Sequence, residues 1–164
     1  MSSIRSRAPQ ASSPEVRRVM CSVRSEDTRA EQQLRRELHR EGLRFRKNQK
    51  PETNIRCKAD IVFRRARVCV FIDGCFWHGC PTHFHPPKKN QAWWIEKIMD
   101  NIDRDRKQAE LLSKRGWMII RVWEHDIEKN VPINLILWIK NIVMRRKAGK
   151  EDNIGKSYFW PNLD

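Results

Sequence analysis

The stretch Phe71-Ile-Asp-Gly-Cys-Phe-Trp-His-Gly-Cys-Pro-Thr-His83 follows directly from an apolar segment that has the composition of a buried strand. Within it, Cys75, Cys80 and His83 have the side chains and the close spacing that zinc favours. Two large aromatic residues lie between the two cysteines. We call residues 75 to 83 the knuckle, and we predict that a metal ion stiffens it.

Strand and helix patterns on both sides of the knuckle indicate an α/β fold. Ala59 to Phe63 and Val68 to Asp73 are short apolar segments joined by four residues, which predicts a hairpin. Asn90 to about Arg115 has helical spacing, and Trp117 to Trp123 is a third strand. A strand, a long helix and a strand give a right-handed crossover with parallel pairing. Two further helices are predicted, for Thr28 to about Glu41 and for Pro132 to about Lys147. Together the helices would cover both faces of a small mixed sheet.

A fourth metal ligand must come from outside the knuckle. His125 lies just past the third strand, and parallel strands end at the same edge of a sheet. His125 is therefore expected near Cys75, which would close a structural Cys2His2 site. His78 and His85 are rival ligands, and cysteines buried without any metal are the alternative.

Size and charge define the class of protein. The chain has 164 residues, a net charge of +14 and a pI of about 10.1. A basic excess of this size favours a polyanionic partner, most often nucleic acid. Five cysteines fit reduced thiols, and there is no secretory signal or membrane span, so we expect a cytoplasmic protein that joins the nucleoid when it acts. The predicted division is a basic arm over 1–27, one domain over 28–147 and a polar tail over 148–164, with Lys47 to Lys58 as a loop.

Acidic residues mark a second site. Asp60 begins the first hairpin strand and Asp73 ends the second. A carboxylate there can hold Mg²⁺ against a scissile phosphate, although a solvated loop-end charge has the same sequence pattern. Thr28 and Glu31 form a capping box, which by itself explains a glutamate at that position. His78 can take a proton from water near neutral pH; its alternatives are a zinc ligand or a spectator.

Aromatic residues cluster beside the knuckle. Phe76 and Trp77 lie within it, and Trp93 and Trp94 begin the long helix. Apolar wedges beside basic residues can enter between base pairs and kink DNA. The alternative is a local apolar core over the metal.

Seven short motifs follow one another along the chain and together carry a family resemblance. They are Arg24-Ser-Glu-Asp-Thr-Arg-Ala-Glu31, Ala59-Asp-Ile-Val62, Phe71 to Cys80, Trp94-Ile-Glu-Lys-Ile98, Asn101 with Arg104-Asp-Arg106, Gly116-Trp117 and Val122-Trp-Glu124. From Ser13 to Asp126 the chain resembles the very short patch repair (Vsr) endonucleases, bacterial mismatch-nicking enzymes. The resemblance implies a restriction-endonuclease-like, three-layer fold with a structural zinc site.

The resemblance also implies roles for particular residues. Asp60 matches a Mg²⁺ ligand, with the backbone carbonyl of Ile72 as a second. His78 matches the histidine that acts on the attacking water, and Glu31 matches an acidic residue of the active site. The remaining expectations are zinc bound by Cys75, Cys80, His83 and His125, and DNA bound by Phe76, Trp77, Trp94, Lys88 and Lys89.

The chain departs from the family pattern at three places. His125 stands where a cysteine is usual, and imidazole is a competent zinc ligand. Ala59 replaces a common proline. Asp73 is followed by Gly74 and Cys75, so the acid-x-lysine pattern of the superfamily is absent.

The resulting expectation is a Mg²⁺-dependent endonuclease that nicks one strand at T:G mismatches, the product of 5-methylcytosine deamination. It would act as a monomer on double-stranded DNA, with repair-pathway proteins as candidate partners, Mg²⁺ as the catalytic ion and Zn²⁺ as the structural ion. Two alternatives remain: a sequence-specific restriction or nicking enzyme on matched DNA, and a catalytically inactive zinc-containing DNA-binding module.

Overall fold

The computed structural model describes Pro9 and residues 13–15, 17–18, 26–150 and 157–160. Most of the predicted N-terminal arm lies outside these residues. No helix in the described part of the chain is both long and apolar enough to span a membrane. The elements are α1 Arg29–Arg40, β1 Arg46–Gln49, β2 Ala59–Phe63, β3 Val68–Asp73, α2 Gln91–Lys114, β4 Met118–Trp123, α3 Glu124–Ile127, α4 Ile133–Lys147 and β5 Ser157–Trp160.

Five strands form one mixed sheet in the order β1-β2-β3-β4-β5. The first three are antiparallel, with Ile61 opposite Val70, which confirms the predicted hairpin. Strands β3 and β4 are parallel over their whole length, from Val68 opposite Met118 to Asp73 opposite Trp123. The predicted crossover through α2 is therefore confirmed, and the ends of β3 and β4 meet at one edge of the sheet.

Two apolar clusters cover the two faces of the sheet. On one face, α1 and α4 contribute Leu34, Leu38 and Ile139, all fully buried. On the other face, Leu112 of α2 packs with Val62 and other sheet residues. Along β3 and β4, successive residues alternate between the two clusters, so both faces of these strands are buried and their sequences are nearly continuous apolar runs.

Helix α1 begins and ends as the sequence predicts. The Thr28 hydroxyl accepts a hydrogen bond from the Glu31 N–H, and the Glu31 carboxylate accepts one from the Thr28 N–H, so the capping box is complete. Gly42 follows the helix with φ +77°, a conformation that glycine adopts without steric cost.

The structure corrects three expectations. Residues 46–49 form strand β1 instead of a loop, because backbone pairing with β2 creates the strand although most of its side chains are exposed. Residues 157–160 form β5 beside β4, although the sequence suggested only a polar tail. His125 lies in the short helix α3, which was not predicted.

Candidate active site and metal cluster

A cavity of about 1030 Å³ opens where β2 begins and β3 ends. It brings together residues that are far apart in the sequence: Glu31 from α1, Asp60 from β2 and His78 from the knuckle. Phe76 and Trp77 also line it. The three residues predicted to be catalytic therefore share one cavity with two of the predicted aromatic wedges.

Asp60 lies where the hairpin strands stop pairing. The ladder between β2 and β3 ends at Ile61 and Val70, and beyond it the Asp60 carboxylate accepts a hydrogen bond of 2.7 Å from the Ile72 N–H. The N–H and C=O of one strand residue point to the same side. The Ile72 carbonyl is therefore directed to the side of the strand on which Asp60 lies.

The surroundings of Asp60 disfavour its charged form. Burial raises the pKa of the Asp60 carboxyl to about 7, and repulsion from Glu31 and Asp73 acts in the same direction. The Ile72 N–H and Arg35 oppose this increase. A bound divalent cation would stabilise the charged form of this half-buried carboxylate, which lies near two further acidic groups.

Glu31 performs its capping role inside the cavity wall. It is buried, accepts hydrogen bonds from the N–H groups of Asp27 and Thr28, and lies 3.2 Å from a guanidinium nitrogen of Arg35. The sequence left open whether this glutamate is a cap or an active-site acid. In the structure the cap is formed, and the same side chain reaches the cavity and raises the pKa of Asp60.

His78 belongs to a network of ionic groups. Its Nδ1 lies 2.6 Å from Oδ2 of Asp105. Burial acts to raise the pKa of the Asp105 carboxyl, but the hydrogen bond with His78 and the charge of Arg121 outweigh it and lower that pKa. A carboxylate can only accept, so Nδ1 carries the proton in this hydrogen bond, and in the neutral form of the ring the lone pair is then on Nε2. Asp105 is a half-buried carboxylate on α2, and its partners are His78 and Arg121. Asp73, considered as a Mg²⁺ ligand from sequence, instead accepts two hydrogen bonds of 2.6 Å from Arg121.

The knuckle and α3 bring four side chains to one point. Their ligand atoms all lie within 4.8 Å of one another. Sγ of Cys75 is 3.1 Å from Nδ1 of His125, and Sγ of Cys80 is 3.6 Å from Nδ1 of His83 and 3.8 Å from that of His125. Tetrahedral zinc at about 2.1 to 2.3 Å from each ligand requires ligand separations of roughly 3.5 Å. The set fits a metal ion, and neither rival ligand, His78 or His85, belongs to it.

The two thiols respond differently to these surroundings. Burial raises the pKa of Cys75 to about 12, and the neighbouring Cys80 acts in the same direction. Burial also acts to raise the pKa of Cys80, but hydrogen bonds with Thr82 and His83 outweigh it and lower that pKa to about 7. Two adjacent thiolates require a cation, so the pair is suited to a metal ion.

The aromatic residues beside the knuckle pack on one another. Phe76 lies edge-on to Trp77 and Trp94, with ring centroids 5.2 and 5.3 Å apart, and Trp93 and Trp94 are 4.8 Å apart. All four are half-buried, and Phe76 and Trp77 line the cavity. Lys88 and Lys89, predicted to contact DNA, are exposed just before α2 and do not line the cavity.

Comparison with known proteins identifies the relatives of this chain. Residues 11–83 match the sequence profile of the family described as DNA mismatch endonuclease Vsr. The Type II nicking enzyme V.HpaIIP of Haemophilus parainfluenzae is 36% identical over 137 residues, which are 81% of this chain and 94% of the relative. The chain belongs to the Vsr endonuclease family. The predicted resemblance is confirmed, and the protein is a DNA endonuclease.

Other relatives of this Vsr endonuclease carry two kinds of description. The Type II nicking enzyme V.NaeI of Lentzea aerocolonigenes is 41% identical over 111 residues, 66% of this chain and 67% of the relative. DNA mismatch endonuclease Vsr of Escherichia coli K12 is 33% identical over 106 residues, 64% of this chain and 66% of the relative. Nicking is described for the first, and mismatch cleavage for the second.

Sequence reasoning missed two contacts in the Vsr endonuclease that hold the knuckle. The Glu124 carboxylate accepts a hydrogen bond of 2.7 Å from the Cys75 N–H, and Asn101 of α2 donates one of 3.0 Å to the Trp77 carbonyl. Both residues were noted as parts of motifs without a role. Their position in Trp-Glu and in the Asn-x2-Arg-Asp pattern was the signal, but only the folded geometry identifies the backbone groups that they bind.

Proposed function

We propose that the protein is a nicking endonuclease that cuts one strand of duplex DNA within a defined sequence. The observation that carries this proposal is the single cavity that unites Asp60, Glu31 and His78. The descriptions of V.NaeI and V.HpaIIP as Type II nicking enzymes support cutting at a defined site. The mixed sheet, with a carboxylate at the hairpin beside the cavity, is compatible with the restriction-endonuclease-like fold that the resemblance implied.

His78 is proposed to remove a proton from the attacking water. Asp105 accepts the Nδ1–H, which leaves the Nε2 lone pair available as a general base. Asp105 also stabilises the imidazolium that forms when the proton arrives, because its carboxylate remains charged beside it. The proton moves from water to Nε2, the water oxygen forms the new bond to phosphorus, and the bond from phosphorus to the leaving sugar oxygen breaks.

Asp60 and the Ile72 carbonyl are proposed to hold Mg²⁺, with Glu31 nearby. Burial, together with repulsion from Glu31 and Asp73, raises the pKa of the half-buried Asp60, and a cation bound at its carboxylate would offset these effects. Magnesium would supply charge neutralisation at the scissile phosphate and the leaving oxygen. Within the chain, the Ile72 N–H fixes the orientation of the Asp60 carboxylate, and the end of the strand ladder leaves this corner open to substrate.

The DNA backbone is proposed to run across the basic mouth of the cavity. Arg29, Arg56, Lys58 and Arg104 line it, and the whole chain carries a net charge of +14. Contacts from lysine and arginine to phosphates supply most of the affinity of such proteins for DNA and make it sensitive to salt. Lys88 and Lys89 remain proposed contacts outside the cavity.

The Cys75, Cys80, His83 and His125 group is proposed to hold a structural zinc ion. Two thiols and two imidazoles at the observed separations match the preference of zinc. All four positions are occupied by side chains, which leaves none for a reacting water. The role of the ion would be to fix the knuckle, and with it both His78 and the aromatic residues.

A second candidate function is nicking at T:G mismatches, and a specific observation favours it. Phe76, Trp77 and Trp94 form a half-buried cluster beside the cavity, where they are suited to enter a weakened base step. A wobble pair is easier to unstack than a matched pair, so distortion would select it. The family profile and the Escherichia coli relative are both described as mismatch endonucleases.

Strand-specific nicking of a labelled duplex library tests both functions. Each sequence context is present as matched DNA and with a T:G mismatch, and Mg²⁺ is added or omitted. Nicking of matched duplexes in one context supports the first proposal, and nicking confined to T:G duplexes supports the second. Asp60→Asn should bind but not cut, whereas Asp103→Asn, an exposed carboxylate on α2, should cut normally. Binding without cutting in every context would contradict both.

A further inference from the structure

Arg121 is a buried cation in the middle of an apolar strand. It is 7% exposed, and its neighbours along β4 are fully buried apolar residues. Nε and Nη2 donate to the two carboxylate oxygens of Asp73 at 2.6 Å each, and Nη2 also lies 3.1 Å from Oδ2 of Asp105. A planar guanidinium is suited to hold two carboxylates at fixed positions.

Strand register fixes the guanidinium from both sides. Phe71 on β3, Arg121 on β4 and Phe159 on β5 are direct neighbours across three parallel strands. The guanidinium carbon lies 5.3 Å from the centroid of the Phe71 ring and 5.7 Å from that of Phe159. The rings of Phe71 and Phe159 limit movement of the guanidinium towards the neighbouring strands, and the two hydrogen bonds to Asp73 fix its orientation.

The oxygen of Asp105 that Arg121 contacts is also the one that binds His78. Oδ2 is 2.6 Å from Nδ1 of His78 and 3.1 Å from Nη2 of Arg121. Asp105 comes from α2 and His78 from the knuckle, so neither belongs to the sheet. Arg121 contacts both members of this pair from the sheet, since its Nη2 also lies 3.4 Å from Nδ1 of His78, and its partner Asp73 lies 3.7 Å from the same nitrogen.

We propose that Arg121 is a positioning residue that holds Asp105 in place against His78 and so orients the imidazole for catalysis. This inference rests on the proposed role of His78 as the base. The contrasting view is that Arg121 and Asp73 are a buried ion pair that only stabilises the fold. The two views differ in what happens to the rate of cleavage in a folded, DNA-binding variant.

The test measures single-turnover nicking at saturating DNA, together with the Kd for DNA and the Tm. Arg121→Met should slow nicking about 100-fold with less than a threefold change in Kd, because the groups that face DNA remain. Arg121→Lys should recover part of the rate, since an ammonium can still contact Asp105. The matched control is Arg146→Met: Arg146 is a half-buried arginine that donates to the carbonyls of Ala66 and Gly116 and does not line the cavity, so its loss should lower the Tm and leave the rate of nicking unchanged.

Combination with Asp105→Asn identifies the route of the effect. If Arg121 acts through Asp105, the double variant should be no slower than the slower single variant. Arg121→Met leaves the Asp73 carboxylate on β3 without its cation, which could prevent folding. In that case the double variant Arg121→Met, Asp73→Asn removes this charge, and the proposal requires that it also nicks slowly. Normal nicking by either folded variant, or multiplicative effects with Asp105→Asn, would overturn the proposal.

Two further outcomes separate this inference from the proposed function. A wild-type protein that never nicks contradicts the proposed function itself. A wild-type protein that nicks, a His78→Ala variant that does not, and an Arg121→Met variant that nicks normally together contradict only the positioning role. Normal nicking by His78→Ala removes the base, and the positioning proposal with it.

Discussion

Asp60→Asn should stabilise the metal-free protein, and by an amount that grows with pH. The Asp60 carboxyl has a pKa of about 7 in the folded protein against 3.8 for the free group, mainly because it is buried. The folded state therefore disfavours the ionised form. Below pH 4 the Asp60 carboxyl is protonated in both the folded and the unfolded state, so it does not change the free energy of unfolding. As the pH rises from 4 through 7 the unfolded state ionises first, and the folded protein progressively loses stability.

The magnitude follows from the difference between the two pKa values. Each unit corresponds to about 1.4 kcal/mol, so Asp60 costs roughly 2 kcal/mol at pH 5 and roughly 4 kcal/mol at pH 8. Asparagine has no charge to bury and its amide oxygen can still accept the Ile72 N–H. The free energy of unfolding of Asp60→Asn should therefore exceed that of the wild type by a margin that grows by roughly 2 to 3 kcal/mol between these pH values.

Urea denaturation at several pH values, in chelator-treated magnesium-free buffer, measures this difference. The wild-type and variant proteins share all other titrating groups, including the thiols of the knuckle, so the difference isolates Asp60. Asp103→Asn, an exposed control, should follow the wild-type curve. Addition of Mg²⁺ at pH 8 should stabilise the wild type and not the Asp60→Asn variant. Parallel pH profiles for wild type and variant would refute the reasoning.

Three further predictions concern the metal cluster, the packing of the knuckle and DNA binding. His125→Ala should lower the zinc content measured by elemental analysis, whereas His85→Ala should leave it unchanged; stoichiometric zinc in folded His125→Ala protein would contradict the ligand set. Gly79→Ala should cost about 2 to 4 kcal/mol in denaturation experiments, because its φ is +64° and a Cβ would lie 2.9 Å from Ile102 and 3.0 Å from Ile98. Gly42→Ala, with φ +77° and open space around the Cβ, should cost only about 1 kcal/mol, and an equal loss in both variants would disprove the steric argument. Affinity for duplex DNA, measured by fluorescence anisotropy, should fall about 100-fold or more between 50 and 200 mM salt, and a flat response would contradict phosphate binding by this +14 protein.

The central part of the fold could be predicted from sequence because its signals are local. The hairpin of β2 and β3, the capping box of α1 and the long α2 each have a distinct pattern, and a strand, a helix and a strand leave one usual handedness. The prediction that His125 approaches Cys75 followed from parallel strands alone. It is confirmed by a separation of 3.1 Å between their ligand atoms.

The edges of the sheet could not be predicted in the same way. Strands β1 and β5 have four residues each and are held by backbone pairing to a neighbouring strand, which no side-chain pattern reveals. The partner of Arg121 was also hidden. Asp73 looked like a metal ligand at the end of a hairpin, and only the register of β3 and β4 places the two charges side by side.

The distribution of the four metal-binding side chains along the chain bears on how the protein folds. Cys75, Cys80 and His83 are close in sequence, so an unfolded chain can present all three at little entropic cost, whereas His125 joins them only after β4 has docked beside β3. Parallel pairing between distant segments is a slow step of folding. Zinc captured early by the local trio would gain its last ligand at the moment that this step is completed. The ion would then slow the separation of β3 from β4, and its removal should accelerate unfolding more than it slows refolding.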